Sequence, residues 1–352
     1  MEEESIEFET DGVFFNPNMN LCRSLSSLAV GAIGDEIDVV DAFCATGIRG
    51  IRYAKENTNV KSVTFLDIEE KAIKIAKKNA KKNRLKADFK EGNISRLAFD
   101  LIADFVEIDP FGTPSPYLLD SLRFFNPKKT AYLSVTATDV AVLCGGKTAP
   151  CLKNYHSKPM NNEFTHETGL RIMIKRIAEV AAEFNFGIAP LVSFSDKHYL
   201  KSVVRLKRGA DDAFGSMKSL GYVSYDPKTG NRKHSQFPET GDPKPEYAGP
   251  LWLGELHEKG FLEKMKKLNQ ERNYSEKQEI GRMLSLFENE IAMPPYYYNI
   301  HNLCRILRLG DVPTMKELLE RIREKGYRAE RTHFSRISFK SDAPFDKIRE
   351  VF

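Results

Sequence analysis

Between residues 37 and 110 the chain alternates short apolar runs with stretches of helical periodicity. Ile37-Asp38-Val39-Val40-Asp41 reads as a short buried strand that ends in an acid. The small-residue loop Ala42 to Gly47 leads into helical spacing over Ile48 to Ala54. Val63 to Leu66 reads as a second strand, closed by Asp67. The helix after it places Ala72, Ile73, Ala76 and Ala80 on its apolar side and lysines on its outer face. Lys90-Glu91-Gly92-Asn93 belongs to a third unit, and Phe105 to Ile108 is a fourth strand that runs into Asp109. Strands alternating with helices predict βαβ units on a parallel sheet, hence an α/β fold. In such sheets ligands bind outside the carboxyl ends of the strands, so Asp41, Asp67, Asn93 and Asp109 are expected to line one pocket.

Farther along, Thr130 to Thr136 reads as another strand, and Thr138 to Asn154, rich in Gly, Lys and Thr, as an active-site loop. Glu167 to Phe184 is a long amphipathic helix. Ile188 to Phe194 and Lys201 to Arg208 have the character of an antiparallel strand pair. Residues 224–249 carry Pro227, Gly230, Pro238, Gly241, Pro243 and Pro245 and read as an irregular connector. Helical patterns follow over Leu256 to Leu268 and Lys277 to Ile291, up to the Pro294-Pro295 break. Two more helices, around His301 to Leu309 and Thr314 to Lys325, precede a strand-like Arg331 to Phe339, a set compatible with a winged-helix-like module. The expected organisation is one unit over 1–254 and a smaller α+β unit over 255–352.

The most pointed chemistry lies in Asp109-Pro110-Phe111-Gly112-Thr113-Pro114. A carboxylate held at a strand end can accept hydrogen bonds from an amino group while the ring beside it stacks on a flat partner. That pairing suits chemistry on the exocyclic amine of a nucleobase; the competing reading is a helix N-cap Asp in a βα turn. An acid closing the second strand typically holds ribose hydroxyls, which fits Asp67, and Asn93 suits the edge of an adenine. The cofactor is then NAD-like or S-adenosylmethionine-like. The first loop has only Gly47 and Gly50, without G-x-G-x-x-G, and G-x-x-x-x-G-K-[ST] is absent. P-loop chemistry is excluded, and a cofactor without a pyrophosphate is favoured over a nicotinamide.

Asp41-Ala-Phe-Cys-Ala-Thr-Gly-Ile-Arg-Gly-Ile-Arg-Tyr53 together with Asp109-Pro-Phe-Gly-Thr-Pro114 resembles the tRNA (guanine-26, N2)-dimethyltransferases, in their archaeal form. Further matches follow in order: Val13-Phe14-Phe15-Asn16-Pro17 with Asn20 to Arg23, Gly249-Pro-Leu-Trp-Leu-Gly254, Pro295-Tyr-Tyr297 with His301, and Arg331-Thr-His-Phe334. The resemblance implies a class I, Rossmann-like S-adenosylmethionine-dependent methyltransferase whose final strand is antiparallel, with tRNA as partner and a C-terminal tRNA-binding domain. It implies Asp109, Pro110, Phe111 and Phe14 as catalytic residues and Arg23, Asp41, Gly47, Arg49, Asp67 and Asn93 around the cofactor, the two arginines on its methionine carboxylate. Competing readings are methylation of DNA or a small molecule, a silent RNA-binding protein that kept the fold, and a nicotinamide oxidoreductase. The sequence departs from some members in one respect: the segment from Tyr225 to Ala248 has no cysteine, so no structural zinc is expected.

Composition adds bounds. The 352 residues, 41% hydrophobic, allow two domains with real cores. Cys22, Cys44, Cys144, Cys151 and Cys304 form no C-x-x-C pair, which fits a reducing, cytoplasmic setting without a metal. The acidic start Met1-Glu-Glu-Glu-Ser is no signal peptide, and no apolar run approaches the roughly 20 residues of a membrane span. A net charge of +4 permits RNA binding without demanding it. The lysines at 77, 78, 81 and 82 and at 264, 266 and 267 read as solvated faces. Arg305, Arg308, Arg321, Arg323, Arg328 and Arg331, interleaved with Tyr296 to Tyr298, His301, Tyr327, His333 and Phe334, are expected to contact RNA, against the alternative of an aromatic core with an arginine rim. Oligomeric state is not legible.

Overall fold

A computed structural model of the chain describes residues 1–126, 130–238 and 245–352. Seven strands form the central sheet: β1 (Ile37–Asp41), β2 (Val60–Asp67), β3 (Asp88–Glu91), β4 (Phe105–Ile108), β5 (Ala131–Ala137), β6 (Phe186–Asp196) and β7 (Tyr199–Arg208). Their order is β3-β2-β1-β4-β5-β7-β6; the first five are parallel and β7 is antiparallel to both its neighbours. Order reverses between β1 and β4, so the crevice at that point opens over Asp41 and Asp109. The central strands are buried from both sides. Helices Asn20–Ala32 (α1), Ile48–Glu56 (α2) and Glu70–Lys82 (α3) cover one face, and Thr165–Glu183 covers the other.

Gly47 at the end of the first loop and Gly50 within α2 have steric reasons. Gly47, before α2, sits at φ +78°, in the left-handed region. A Cβ on Gly50 would meet Phe65 Cε1 at 2.5 Å.

Several expectations change. The region 138–154 is not an open loop: it holds helices Val140–Leu143 and Thr148–Tyr155, because Leu143, Cys151 and Tyr155 turn inward into the core. The connector is a three-stranded antiparallel sheet, with Leu220–Tyr225 between Arg232–Ser235 and Glu246–Trp252. Its turn residues close a hairpin: Asp226 accepts from Lys228 N (2.9 Å) and from the Thr229 hydroxyl (2.7 Å). Gly241 and Pro243 lie outside the described residues. The expected strand Arg331 to Phe339 is a hairpin of Ala329–Thr332 and Ser335–Ser341, turning at His333-Phe334.

The C-terminal aromatics also change meaning. Tyr296, Tyr297 and Tyr298 are buried among Phe164, Phe334, Phe339 and Phe345. Rings so enclosed cannot stack on bases, whereas Arg305, Arg308, Arg321, Arg323, Arg328 and Arg331 are all exposed. Helices Lys259–Glu271 and Lys277–Asn289 share a hydrophobic core with α1, so apolar packing runs unbroken across residue 254. All five cysteines are buried and free. Among the described residues, no helix is long and apolar enough to cross a membrane.

Candidate active site at the carboxyl edge of the sheet

The acids predicted at strand ends lie where the fold rule puts them. Asp41 ends β1, Asp67 ends β2, and Asp109 follows β4. Asn93 follows β3 and caps the short helix Ile94–Leu97, its side-chain oxygen accepting from Ser95 N at 2.9 Å. Asp67 uses its two oxygens on Ala45 N (2.9 Å) and Glu69 N (3.0 Å), tying the first loop to the second strand. Asp41 is buried and accepts from Gly50 N at 3.1 Å. Burial, reinforced by the Glu107 carboxylate beside it, pushes the Asp41 carboxyl up to about 7.

The expectation set Arg49 on the cofactor and Asp109 on the base; the structure sets them on each other. Arg49, buried on α2, forms an ion pair with Asp109, and its Nη1 donates to Ser26 Oγ at 3.2 Å. Burial works against its charge, yet Asp109 and Glu107 hold the guanidinium well above its usual range. The Asp109 side chain keeps 20% of its exposure. Arg23 is likewise closed by a carboxylate of this chain. It pairs with Glu3, donates to Asn16 O at 3.2 Å and lies 4.9 Å over the Phe15 ring. Its evident work is to anchor the segment that carries Phe14.

That segment brings Phe14 to Phe111. Their centroids are 4.5 Å apart, edge to face, and both rings are exposed, 56% and 74%. Pro110 is buried behind them. The turn that presents Phe111 is latched from behind: Gly112 N donates to Thr138 Oγ1 (2.8 Å), Thr138 N to Gly112 O (3.0 Å), and Thr113 Oγ1 to Tyr155 (2.9 Å). Tyr155 in turn donates to Asp139 at 2.8 Å. Asn16 meets His198, in the β6–β7 turn, at 3.1 Å.

Beneath Asp109 lies a set of residues that the sequence reading passed over. Glu107 is fully buried, in register with Asp41 on the neighbouring strand. It is ion-paired with Lys201 of β7 and accepts from Tyr53 OH at 2.7 Å. The available signal was a lone acid inside Phe105 to Ile108, since a buried charge needs a partner; Lys201 shares its strand with Arg205, Lys207 and Arg208 and does not stand out.

One further cluster gathers metal-binding residue types: His257, Glu290 and His333, with candidate ligand atoms within 4.8 Å of one another. Their hydrogen bonds assign them a different task. Ser195 N donates to His333 Nε2 at 3.2 Å, so the ring proton sits on Nδ1 and points at Glu290 Oε1, 2.7 Å away. Ser193 N donates to His257 Nδ1 at 3.5 Å, which turns Nε2–H toward Glu290 Oε2 at 4.0 Å. The two imidazoles thus cap alternate amides on the edge strand β6, and neither presents a free lone pair to the cluster.

A model of the N2,N2-dimethylguanosine tRNA methyltransferase family matches residues 1–352. The chain belongs to this family. It is similar to the tRNA (guanine(26)-N(2))-dimethyltransferase of Thermococcus kodakarensis, with 37% identity over 96% of this chain and 92% of that protein. The Methanobrevibacter smithii protein of the same name is 33% identical, over 96% and 90%. A solved structure of Trm1 from Pyrococcus horikoshii in complex with S-adenosyl-L-methionine matches with a TM-score of 0.93 at 30% identity, covering 100% of this chain and 98% of that one. The fold is that of an α/β S-adenosylmethionine-dependent methyltransferase carrying small antiparallel sheets in addition.

Proposed function

We propose that the chain transfers one or two methyl groups from S-adenosyl-L-methionine to the exocyclic N2 of guanine 26 in tRNA, and that the Asp109-Pro110-Phe111 turn is where this happens. The observation that carries the reading is the partly exposed Asp109 carboxylate at the strand-order reversal, beside two exposed rings. A carboxylate accepts hydrogen bonds from an amine, and the rings offer a flat base its faces.

The cofactor's fit rests on the donor set. Asp67 uses two of its roughly four acceptor sites on backbone amides and has the rest for ribose hydroxyls. Asn93 lies at the next strand end for an adenine, and the Asp41 to Gly47 loop lies along the methionine. Arg49 and Arg23, which the resemblance sets on the methionine carboxylate, are already held by Asp109 and Glu3, so neither guanidinium is assigned to the cofactor. Bound there, the cofactor supplies an electrophilic methyl group on a sulfonium.

The guanine amine is a poor nucleophile, because its lone pair is delocalised into the ring. Asp109 accepts one N2–H and the Pro110 carbonyl the other, which favours a tetrahedral nitrogen with its lone pair free. As the nitrogen gains the methyl group, Asp109 takes the amine proton or hands it to water. Phe111 stacks on one face of the base and Phe14 on the other. A guanine inside folded tRNA must be extruded to reach them. Its two amine hydrogens allow two successive transfers. The division at residue 254, with 255–352 contacting tRNA, belongs to the same proposal.

The test is nucleoside mass spectrometry of unmodified tRNA incubated with S-adenosyl-L-methionine and either wild type or Asp109→Ala. N2-methylated guanosine is expected from wild type. The variant should lose roughly 10²–10⁴-fold in rate while still binding cofactor. Unchanged methylation in the variant would remove Asp109 from the chemistry.

A further inference from the structure

The positive and negative charges under the site do not pair one to one. Arg49 stands between two carboxylates two residues apart on one face of the chain. Its Nη2 holds Asp109, and its Nε lies 4.0 Å from Glu107 Oε1. That same Oε1 is taken by Lys201, whose side chain is wholly buried and which also donates to Thr136 Oγ1 at 2.9 Å. Tyr53 OH occupies Oε2. Each donor on Glu107 therefore removes a reason for Arg49 to turn toward it.

We propose that Lys201, on the antiparallel strand β7, is a positioning residue: by neutralising Glu107 it keeps Arg49 on Asp109 and so fixes the orientation of the reacting carboxylate. This rests on the reading of Asp109 as the amine acceptor. Lys201 touches neither substrate nor cofactor. Without its charge, Glu107 is a buried anion whose nearest remaining cation is Arg49, and the low dielectric of the site makes that attraction strong. Arg49 swings toward Glu107, and Asp109 loses the contact that aims it. A small misplacement of a reacting group is costly in rate while leaving the binding surface intact.

The experiment is steady-state methyl transfer to tRNA by the full chain, comparing Lys201→Gln with the double variant Lys201→Gln/Glu107→Gln. The single variant keeps a hydrogen-bond donor for Glu107 but no charge. Its kcat is expected to fall on the order of 10- to 100-fold, with the tRNA KM nearly unchanged. The double variant removes both charges, leaves Arg49 to Asp109, and should recover most of the lost kcat. A merely structural role would lower thermal stability in Lys201→Gln and restore it in the double variant while kcat per folded enzyme stays at the wild-type value in both. Tyr53→Phe, which takes one donor from Glu107 without burying a new charge, covers the case in which Lys201→Gln fails to fold; a several-fold drop in kcat alone is expected. Unchanged kcat in Tyr53→Phe and in folded Lys201→Gln, or a double variant as slow as the single one, overturns the proposal. Asp109→Ala, run in parallel, separates the two ideas: if it is fully active, the reading of Asp109 fails; if it is dead while Lys201→Gln keeps its kcat, only the positioning role fails.

Discussion

Asp41 and His257 titrate in opposite senses, and their effects on stability oppose each other. Asp41 goes from an ordinary 3.8 to about 7 in the fold, through burial and the Glu107 carboxylate. Between those values the native state holds a proton that the unfolded chain has released, so Asp41 makes stability fall as pH rises from about 4 to about 7. His257 goes from 6.5 down to about 4, because burial disfavours the imidazolium. Between those values the unfolded chain takes up a proton that the native ring refuses, so His257 makes stability fall as pH drops from about 6.5 to about 4. Each shift is worth on the order of a few kcal/mol, and in wild type they offset over the shared window. Asp41→Asn should therefore melt higher than wild type at pH 8 and show a steeper loss in acid, whereas His257→Gln should flatten that loss. Thermal melts from pH 4 to 8 check both. A variant whose melting curve tracks wild type across the window would show that its residue does not titrate as stated.

At the scale of elements, the Asp109-Pro110-Phe111 turn and the N-terminal segment meet through two rings that already touch. A stacked base needs both rings face-on with its own thickness between them, and a 4.5 Å edge-to-face pair leaves no such gap. On the proposed stacking of the base between them, entry requires Phe14 and Phe111 to part. The latch of Gly112 and Thr113 onto Thr138 and Tyr155 holds one ring's backbone, so the N-terminal segment is the side expected to move. Phe111→Ala should raise the tRNA KM by the equivalent of about 1–3 kcal/mol, the usual worth of one base–aromatic stack. Phe14→Ala should cost a similar amount if both faces are used. Measuring KM for each variant decides between two-sided and one-sided stacking: an effect confined to Phe111 would take Phe14 out of the stack. The strands of this half were legible because apolar runs ended in acids. The helices inside 138–154 were not, because Gly, Lys and Thr mask a periodicity that only burial of Leu143, Cys151 and Tyr155 reveals.

For the molecule as a whole, the edge of the sheet is a liability that the C-terminal part resolves. The outer amides of β6 would be left unpaired, as edge strands are. His257 and His333 accept from Ser193 and Ser195, and Glu290 binds Thr332 Oγ1, His333 N and His333 Nδ1 at 2.8, 2.7 and 2.7 Å. One carboxylate thus joins the end of one helix, the hairpin turn and the edge of the catalytic sheet. Glu290→Ala should destabilise by roughly 3 kcal/mol, since it strands several buried donors at once. Hydrogen exchange should speed up at Ser193 and Ser195 while the inner strands keep their protection. Uniform exchange across the sheet, or an unchanged melting temperature, would show that the clip does not hold the two parts together.

The sequence by itself determined the parallel core, the acids at its carboxyl edge and the membership implied by its ordered motifs, because alternation, strand-end residues and short motifs are local in the chain. Only the tertiary structure decided which charges meet. Glu107 and Lys201, 94 residues apart, become partners because β7 enters the sheet antiparallel beside β5, within reach of β4. The same holds for the tyrosines at 296 to 298. Their spacing beside arginines suited RNA, but burial against Phe164 and Phe339 makes them core, since exposure is a property of packing rather than of sequence.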